Sequence, residues 1–493
     1  MKKIISYLVF STVLFLSFTS CEDLNVENVN QPDRERALAE DGDVISLIDG
    51  AVTNNLFHLI GFAGIYMDNM ADQSTTTNAY VSFWSFANEP REQINNSPTN
   101  GDLGNHIGNP WGALNSYINS ANTIITLIET DGKTLADESG ADVTNTKLAA
   151  AYFVKGLSQG YLSLIYDKAF IVDPDTDLGA LQFSTYKEVM DSALTNMDKA
   201  IQLAGSTATL RLHDAYTLSN AQFKQVANSF AAKILIGNAR TKAEAGSTDN
   251  ARVLAYANAG ITADFAPPAR QSVIFNNLQD WRTFFISGQG YLPTDMKVMH
   301  MLDPNYPVDY PTDPSIILQP INTADPRGDY FEYNPGFGFL RESRGRHLFT
   351  NYFNVRKFTN NNRNVDGIPL DIFMLAELQY IKAEASASPA AAAAMLNASP
   401  RKTVGLIDTA ADAAAVEKAL LYEYSVELDL NASIGTHWFF MRRNDMLQPG
   451  TPLQYPVPAT ELELIGEKFY TFGGPANVGQ DGTASGANSW KNF

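Results

Sequence analysis

Few residues of this chain could carry out covalent chemistry. The six histidines are scattered over 493 residues, and no His-Glu-x-x-His zinc motif is present. The sequence also lacks a phosphate-binding loop and a dinucleotide-binding fingerprint. Aspartate and glutamate are plentiful, so a carboxylate pair for glycoside hydrolysis stays open as an alternative. The motifs therefore predict a protein that is not an enzyme and that uses no cofactor.

The single cysteine, Cys21, stands directly behind a segment with the composition of a secretory signal. Two lysines are followed by an almost wholly apolar run over residues 4–18 and then by Thr19 and Ser20. This order is typical of a cleaved signal peptide, and the run is too short for a permanent membrane-spanning helix. A cysteine at this place resembles the bacterial lipoprotein signal, in which the thiol is acylated. We therefore predict Cys21 as the lipid attachment site. The alternative is a secreted protein with an incidental cysteine.

The charge of the chain restricts its partners. Asp and Glu outnumber Lys and Arg by 54 to 35, which gives a formal net charge of −19 at pH 7. A surface this acidic repels nucleic acid and anionic lipid. Glu22 and Asp23 follow Cys21, and acidic residues there resemble the signal that sends lipoproteins to the exterior of a bacterial outer membrane. We expect a lipid-anchored outer-membrane protein that faces the cell exterior.

One acidic run begins like a calcium-binding loop. Asp173, Asp175 and Asp177 alternate as the first ligands of an EF-hand do. The sixth position is Leu178 in place of glycine, and the twelfth is Ser184 in place of glutamate. The run therefore predicts a helix-capping turn, with a cation site as the alternative.

Aromatic residues in two loop-like segments favour ligand binding. Flat aromatic faces bind sugar rings or apolar peptide side chains, while neighbouring amides and carboxylates bond to hydroxyl groups. The candidates are Tyr80, Phe83 and Trp84 in the first segment and Trp281, Tyr291, Tyr330 and Phe337 in the second. Trp84 and Trp281 are the main candidates. The alternative for each residue is that it seals its loop onto the body of the protein.

Apolar residues recur at helical spacing through most of the remaining chain. This spacing predicts amphipathic helices that bury their apolar faces against each other. The predicted helices span residues 41–58, 111–128, 147–166, 186–203, 222–238, 371–387 and 413–430. The pairs resemble degenerate tetratricopeptide repeats, although no clean period of about 34 residues is present. The predicted fold class is mostly α, with helix pairs as a scaffold and a loop-rich ligand-binding region that contains few short strands.

The same patterns divide the chain into segments. The predicted division is a signal peptide (1–20), a lipidated tether (21–40) and a single domain (41–493), with a helical scaffold over 41–261 and 371–447, a loop-rich insertion over 262–370 and a loop-like tail over 448–493. Within the insertion, residues 351–358 alternate like a short strand. Residues 66–110 are predicted to be a second long irregular segment.

Four segments carry motifs that occur together in one known family. They are Trp111 to Asn122, Ala149 to Leu162, Ala376 to Ala385, and His437 to Glu461, the last with Trp438, Arg442, Arg443 and a Pro456-Val457-Pro458 run. In this order they resemble the SusD/RagB family of outer-membrane nutrient-binding lipoproteins. Large residues on helical faces, Trp111, Tyr117 and Trp438, are expected in the core. The charged residues Glu377, Glu384, Arg442 and Arg443 are expected to form ion pairs.

The resemblance implies a function. A protein of this family captures an oligosaccharide or polysaccharide fragment and passes it to a TonB-dependent, SusC-like outer-membrane barrel, without covalent chemistry. The ligand surface in the family is formed largely by loops, where the resemblance of this chain is thinnest. Capture of peptides or of another nutrient on the same scaffold is the alternative, and a lipid-anchored glycoside hydrolase is a further one.

Overall fold

Helices build most of the structure, as the sequence predicts. The computed structural model describes residues 38–59, 61–76, 80–102, 104–205, 209–213, 216–269, 282, 285, 292–313, 316–335, 350–357 and 369–493. The helices are α1 (Asp41–His58), α2 (Ala63–Met70), α3 (Asn109–Ile125), α4 (Thr144–Ile165), α5 (Tyr186–Leu203), α6 (Asn220–Gly237), α7 (Lys242–Ala245), α8 (Asn250–Asn258), α9 (Met296–Leu302), α10 (Leu375–Glu384), α11 (Pro389–Leu396), α12 (Pro400–Thr403), α13 (Ala413–Val426), α14 (Thr436–Arg443) and α15 (Ala459–Leu464). Helices α1 and α5 have the predicted bounds, and the other predicted helices match to within a few residues.

Local capping explains where α5 and α6 begin. The Thr185 hydroxyl accepts a hydrogen bond from the backbone N–H of Glu188, and the Glu188 carboxylate accepts one from the Thr185 N–H in return. Ser219 and Gln222 make the same reciprocal pair at the start of α6. Such a capping box satisfies N–H groups that the first turn of a helix leaves free. The starts of both helices are therefore encoded locally.

Helix α4 is buried along nearly its whole length and packs against α3 and α5. A Cβ atom at Gly156 would lie 2.9 Å from the carbonyl oxygen of Ala193 in α5. A Cβ atom at Gly160 would lie 2.3 Å from Cδ1 of Ile234 in α6. No side chain fits at either contact, so the two glycines let three helices approach closely.

The strands of the described residues are few and short. They are β1 (Lys168–Phe170), β2 (Phe183–Thr185), β3 (Thr209–His213), β4 (Tyr216–Ser219), β5 (Phe331–Tyr333) and β6 (Tyr352–Asn354). Each pairs with its neighbour in the chain to form an antiparallel two-stranded sheet. Strand β6 lies within the predicted strand 351–358. Together with the helices, this arrangement confirms the mostly-α fold class.

Residues 66–110 contain more helix than the sequence analysis predicts. Tyr66 lies in α2, and every residue of α2 is buried. A helix that is buried on all sides shows no amphipathic period, which explains why its pattern is missed. By length and composition, the region Asp41–Met70 could also cross a membrane. It is divided into α1 and α2, however, and α1 residues such as Ile48 and Leu56 pack in the core.

Of the charged residues expected to form ion pairs, Glu377, Arg442 and Arg443 are buried and Glu384 is partly buried, and not all of them form such pairs. Arg443 pairs with Glu384 at 2.7 Å, and Glu377 pairs with the Lys233 ammonium group at 2.8 Å. The expectation for Arg442 is wrong. Its guanidinium donates instead to the carbonyl oxygens of Gly237 and Leu453, both at 2.9 Å. No periodic pattern signals such a bond, because the backbone accepts it.

The large aromatic residues of the same segments confirm the core prediction. Trp438 is fully buried and Trp111 is buried, while Tyr117 is partly buried and packs against the core. The Trp438 indole N–H donates to the carbonyl oxygen of Pro452 at 2.9 Å. Burial of a tryptophan with a satisfied N–H stabilises the fold without leaving a polar group unpaired.

The C-terminal tail is mostly irregular apart from the short helix α15, and it is tied to the body along its length. Isolated bridges join Tyr166 to Tyr455 and Gln93 to Gly473. Trp490 is buried, with 1% of its surface exposed. Its indole N–H donates to the carboxylate of Asp72 at 2.8 Å. The tail therefore closes over residues that lie near the start of the domain.

Asp167 holds the tail from the end of α4. The Tyr470 hydroxyl lies within hydrogen-bonding distance of both of its carboxylate oxygens, at 2.9 and 3.0 Å. Burial raises the pKa of Asp167 from 3.8 to about 6, and the bond from Tyr470 offsets only part of that effect. An aspartate with a raised pKa binds its proton more tightly in the folded state than in the unfolded state. Its ionisation therefore costs stability as the pH rises through 6.

We predict that Asp167→Asn removes this pH dependence. Between about pH 4 and pH 8, the free energy of unfolding of the unmodified chain should fall relative to that of the variant. Only the unmodified chain has a carboxyl group at position 167 that must ionise while buried. Urea unfolding at both pH values measures the difference. Asp175→Asn, at an exposed aspartate in the following turn, is the matched control. A constant difference between Asp167→Asn and the unmodified chain at both pH values would contradict the account.

Candidate functional site

A cavity of about 280 Å³ lies beside the short 3₁₀ turn Tyr80–Phe86. It is lined by Met70, Ser82, Trp84, Ser85, Phe86, Arg91, Glu92, Gln93, Ile94, Asn95, Asn100, His106 and Pro452. The lining combines the aromatic rings of Trp84 and Phe86 with several amide and hydroxyl groups. Ligand sites in proteins typically have this composition and a volume of about 300 Å³ or more. We call this cavity the Trp84 cavity.

The 3₁₀ turn that carries Trp84 has an unusual backbone conformation, and two side chains of the buried body form hydrogen bonds to it. Val81 and Ser82 have φ angles of +40° and +56°, in the left-handed region that β-branched residues rarely adopt. The carbonyl oxygen of Val81 accepts a hydrogen bond from the Tyr66 hydroxyl at 2.9 Å. Nε2 of His106 lies 3.0 Å from the same oxygen. These two bonds from the buried body stabilise the conformation that places Trp84.

His106 acts here as a neutral hydrogen-bond donor. Burial lowers its pKa, and the bond to Val81 and the charge of Asp102 offset only part of that effect. A carbonyl oxygen can only accept, so Nε2 must carry the proton. The ring also makes edge contacts with Tyr66 and Phe86, whose centroids lie 4.7 and 5.2 Å away. His106 therefore positions the turn.

Phe83 is predicted as a ligand residue, but its side chain lies in the core. Its side chain is fully buried and packs against the rings of Phe62, Tyr66 and Phe285, with centroids 5.1 to 5.3 Å apart. Its carbonyl oxygen accepts from the Asn69 amide at 3.2 Å. A ring enclosed in this way anchors the turn and cannot contact a ligand.

Trp84, the next residue, is half-buried and lines the cavity. Three further lining residues, Glu92, Gln93 and Asn95, are exposed. Their side chains make no hydrogen bond among the residues that the structure describes, so their acceptors and donors are available to a ligand. An aromatic face beside unpaired amide and carboxylate groups suits a ring that carries hydroxyl groups.

Arg91 fixes the segment that follows the turn. Its buried guanidinium donates to the carbonyl oxygens of Phe86 and Asn88, at 3.0 and 3.3 Å, and forms an ion pair with the buried Asp72. Asp72 in turn accepts from the Gln448 amide at 2.7 Å and from the Trp490 indole. The wall of the Trp84 cavity is thus bonded to the C-terminal tail through one carboxylate.

The other predicted ligand residues do not line this cavity in the described structure. Trp281, Tyr291 and Phe337 lie outside the described residues, as does the side chain of Tyr80. Tyr330 is half-buried, and the Arg356 guanidinium lies 4.3 Å above its ring. One face of the Tyr330 ring is therefore occupied by a cation–π contact with this chain's own arginine.

The acidic run at Asp173 makes structural contacts. Asp173 pairs with the Lys155 ammonium group at 2.5 Å. Asp177 caps the 3₁₀ turn Leu178–Ala180 by accepting from the Gly179 N–H at 2.9 Å, which confirms the predicted capping turn. Within the described ranges, no group of three or more His, Cys, Asp or Glu residues is placed to hold a metal ion.

The chain contains one Gly-x-Ser-x-Gly spacing, from Gly156 to Gly160. In hydrolases this motif forms a sharp turn from a strand into a helix, which exposes the serine hydroxyl. Here the residues lie in the middle of α4, and Ser158 is fully buried. Its hydroxyl accepts from the Asn55 amide at 2.9 Å. The spacing therefore reflects helix packing.

Several lining residues could not be identified from the sequence as a site. The amide-rich run from Gln93 to Asn100 was a signal, because its composition is unusual for a connecting loop. Pro452 gave no such signal in the sequence, because only the fold of the tail brings it to the cavity. Asn100 contributes by shaping the wall, and its amide donates to the carbonyl oxygen of Asn95 at 2.9 Å.

We predict that Arg91→Met loosens the wall of the Trp84 cavity. The substitution leaves the buried Asp72 carboxylate without its cation, which should cost about 3 kcal/mol of unfolding free energy or more. Urea unfolding measures the cost, and hydrogen–deuterium exchange over residues 80–95 should accelerate. Asn95→Ala removes an exposed side chain from the same wall and should change stability by about 0.5 kcal/mol or less. Equal stability of the two variants would refute the role of Arg91.

Solved structures provide the comparison with known proteins. A SusD superfamily protein from Parabacteroides distasonis is 14% identical, covers 86% of this chain and 97% of its own, and superimposes with a TM-score of 0.58. A SusD-like carbohydrate binding protein from Bacteroides vulgatus is 15% identical, covers 84% and 86% of the two chains, and has a TM-score of 0.55. A laminarin binding SusD-like protein is 16% identical, covers 87% and 94%, and has a TM-score of 0.52.

The likeness is visible in structure and not in overall sequence. No protein-family model and no curated protein matches the sequence. The solved structures nevertheless cover most of this chain and most of their own length. The chain therefore has the SusD-like fold, as its four motif segments predict.

Proposed function

We propose that this chain is a surface lipoprotein of the SusD/RagB type that binds an oligosaccharide or polysaccharide fragment and delivers it to a TonB-dependent outer-membrane barrel. The observation that carries the proposal is the Trp84 cavity, where one half-buried indole stands beside the unpaired side chains of Glu92, Gln93 and Asn95. A sugar ring can stack its apolar face on the indole and bond its hydroxyl groups to these side chains.

The electrostatics of the cavity favour a neutral ligand. Its one guanidinium, Arg91, is already paired with Asp72, and the nearby Glu89 is paired with Lys491. The Glu92 carboxylate at the wall is exposed. Anionic ligands such as uronates or sulfated sugars would meet repulsion there. Neutral glycans would meet none, and cationic peptides are the remaining alternative.

Two further findings support the fold-based part of the proposal. The chain shares its fold with proteins named as carbohydrate binding and laminarin binding. The Trp84 cavity lies in a loop region that packs on the helical scaffold, and ligand sites in proteins are commonly found in such loops. The signal motif is the support for a lipid at Cys21. The family resemblance is the support for a SusC-like barrel as the partner. Binding in this scheme involves no covalent step.

Trp84→Ala should weaken glycan binding about tenfold or more, because it removes the stacking surface at the centre of the site. Titration calorimetry of the purified chain against laminarin, malto-, xylo- and manno-oligosaccharides and a panel of peptides measures the effect. Phe469→Ala is the matched control, since Phe469 is an exposed aromatic residue (47% exposed) outside the Trp84 cavity. Glycan binding that Trp84→Ala leaves intact would remove the cavity from the proposal, and binding of peptides alone would change the ligand class.

Cys21→Ala should abolish lipid attachment. The thiol is the acylation point of the proposed signal, so labelled palmitate should enter the unmodified chain and not the variant, and the variant should leave the membrane fraction. Trp84→Ala is the control that should label normally. Labelling of Cys21→Ala at the level of the unmodified chain would contradict the proposed anchor.

A further inference from the structure

A second and larger cavity lies on the other side of the C-terminal tail. Its volume is about 470 Å³, within the range of about 300–1,000 Å³ that ligand sites occupy. Tail residues separate it from the Trp84 cavity. The carbonyl oxygen of Phe472 accepts from the N–H of Ile94 in the wall of the Trp84 cavity. The N–H of Gly473 donates to the hydroxyl of Thr483, which lines the second cavity, at 3.0 Å.

Two buried arginines line the second cavity, and both form hydrogen bonds to backbone carbonyl oxygens at helix ends. The Arg240 guanidinium donates to the carbonyl oxygens of Ser163, Leu164 and Tyr166 at the end of α4, at 2.6 to 3.0 Å. Arg442 donates to Gly237 at the end of α6. Cations at the carboxyl end of a helix satisfy its free carbonyl oxygens and its dipole. These arginines therefore stabilise the fold through bonds to backbone carbonyl oxygens of the scaffold.

The remaining charged groups of the lining are acidic. Asp167, Glu244, Asp445 and Asp481 contribute four carboxylates to the same cavity. Asp481 is exposed and makes no hydrogen bond among the described residues. Carboxylates accept hydrogen bonds from hydroxyl or ammonium groups, and they repel other anions.

Two aromatic rings complete the walls. Tyr186 and Phe472 both line the cavity and are half-buried. The Tyr186 hydroxyl donates to Glu244 at 2.9 Å, and the Arg240 guanidinium lies 4.4 Å from the ring centre. Phe472 contacts the ring of Tyr470 edge-on, with centroids 5.7 Å apart. The Phe472 ring makes no cation–π contact among the described residues, so it is the ring better suited to stack on a ligand.

Gln454 is the residue that points to a ligand. It lines the cavity, only 6% of its surface is exposed, and its carboxamide forms no hydrogen bond within the described residues. The residue is buried as a whole, but its carboxamide atoms are not among the enclosed unpaired atoms of the described residues, so they reach the open space of the cavity. A side chain that stays unpaired in this position is available as both donor and acceptor to a molecule in the cavity.

We propose that the second cavity is a carbohydrate-binding site for a neutral or amine-bearing sugar ring, with Gln454 bonded to its hydroxyl groups and Phe472 against its apolar face. The proposal rests on the proposed glycan capture and extends it, because one chain would then hold sugar at two places on either side of the tail. A polymer fragment or two separate oligosaccharides could be retained in this way, whereas uronic acids would be excluded.

Titration calorimetry of the purified full-length chain tests this proposal, with laminarin oligosaccharides, chitosan oligosaccharides and anionic polygalacturonate oligosaccharides as probes. The unmodified chain should bind two copies of a short neutral or amine-bearing oligosaccharide, and polygalacturonate should not bind. Trp84→Ala and Gln454→Met should each leave one binding event. Gln454→Met keeps the side-chain volume and should weaken the second event about tenfold through the lost hydrogen bonds.

Thermal unfolding separates a binding role from a structural one. Because the Gln454 amide has no partner among the described residues, Gln454→Met should keep or raise the melting temperature. If the variant fails to fold, Asp481→Ala in the exposed rim serves in its place. Loss of all binding in Trp84→Ala, with Gln454→Met and Asp481→Ala unchanged, would overturn the second site and leave the proposed function standing. Absence of binding by every probe to the unmodified chain would contradict both.

Discussion

The buried guanidinium of Arg442 connects the helical scaffold to the segment that borders both cavities. It donates to the carbonyl oxygen of Gly237 at the end of α6 and to that of Leu453, which is adjacent to Pro452 in one cavity and Gln454 in the other. Burial lowers its pKa, and the charges of Arg240 and Arg443 add to the effect. The rings of Trp438 and Phe439, each 4.7 Å from the guanidinium carbon, and the two carbonyl oxygens stabilise the cation. Without this group, the 452–454 segment would keep the Trp438 bond to Pro452 but lose its bond at Leu453 and the link from there to the end of α6.

The rest of the site follows from that attachment. With the tail held against the body, the Trp490 indole can reach Asp72, and Asp72 can hold Arg91 in the wall of the Trp84 cavity. The 3₁₀ turn above is then fixed by Tyr66 and His106 from within the core. Long-range bonds between the two ends of the domain thus give irregular loops the rigidity that a binding site requires.

The sequence predicts the fold well where the signal is local. Apolar periodicity defines α1 and α5, and capping boxes explain the starts of α5 and α6. The roles of Phe83 and Trp84 could not be separated in this way, because they depend on distant rings such as Phe62 and Phe285. The Arg442 contacts, the Pro452 wall and the unpaired amide of Gln454 are equally invisible to a local pattern, since each depends on where the tail lies.

A crystal structure of the chain with a bound oligosaccharide, using whichever glycan of the panel binds most tightly, would test directly whether Trp84 binds sugar. We expect a sugar ring stacked on the Trp84 indole, with hydroxyl groups within hydrogen-bonding distance of Gln93 or Asn95. A glycan bound at a surface that excludes Trp84, with the Trp84 cavity free of sugar, would contradict the account.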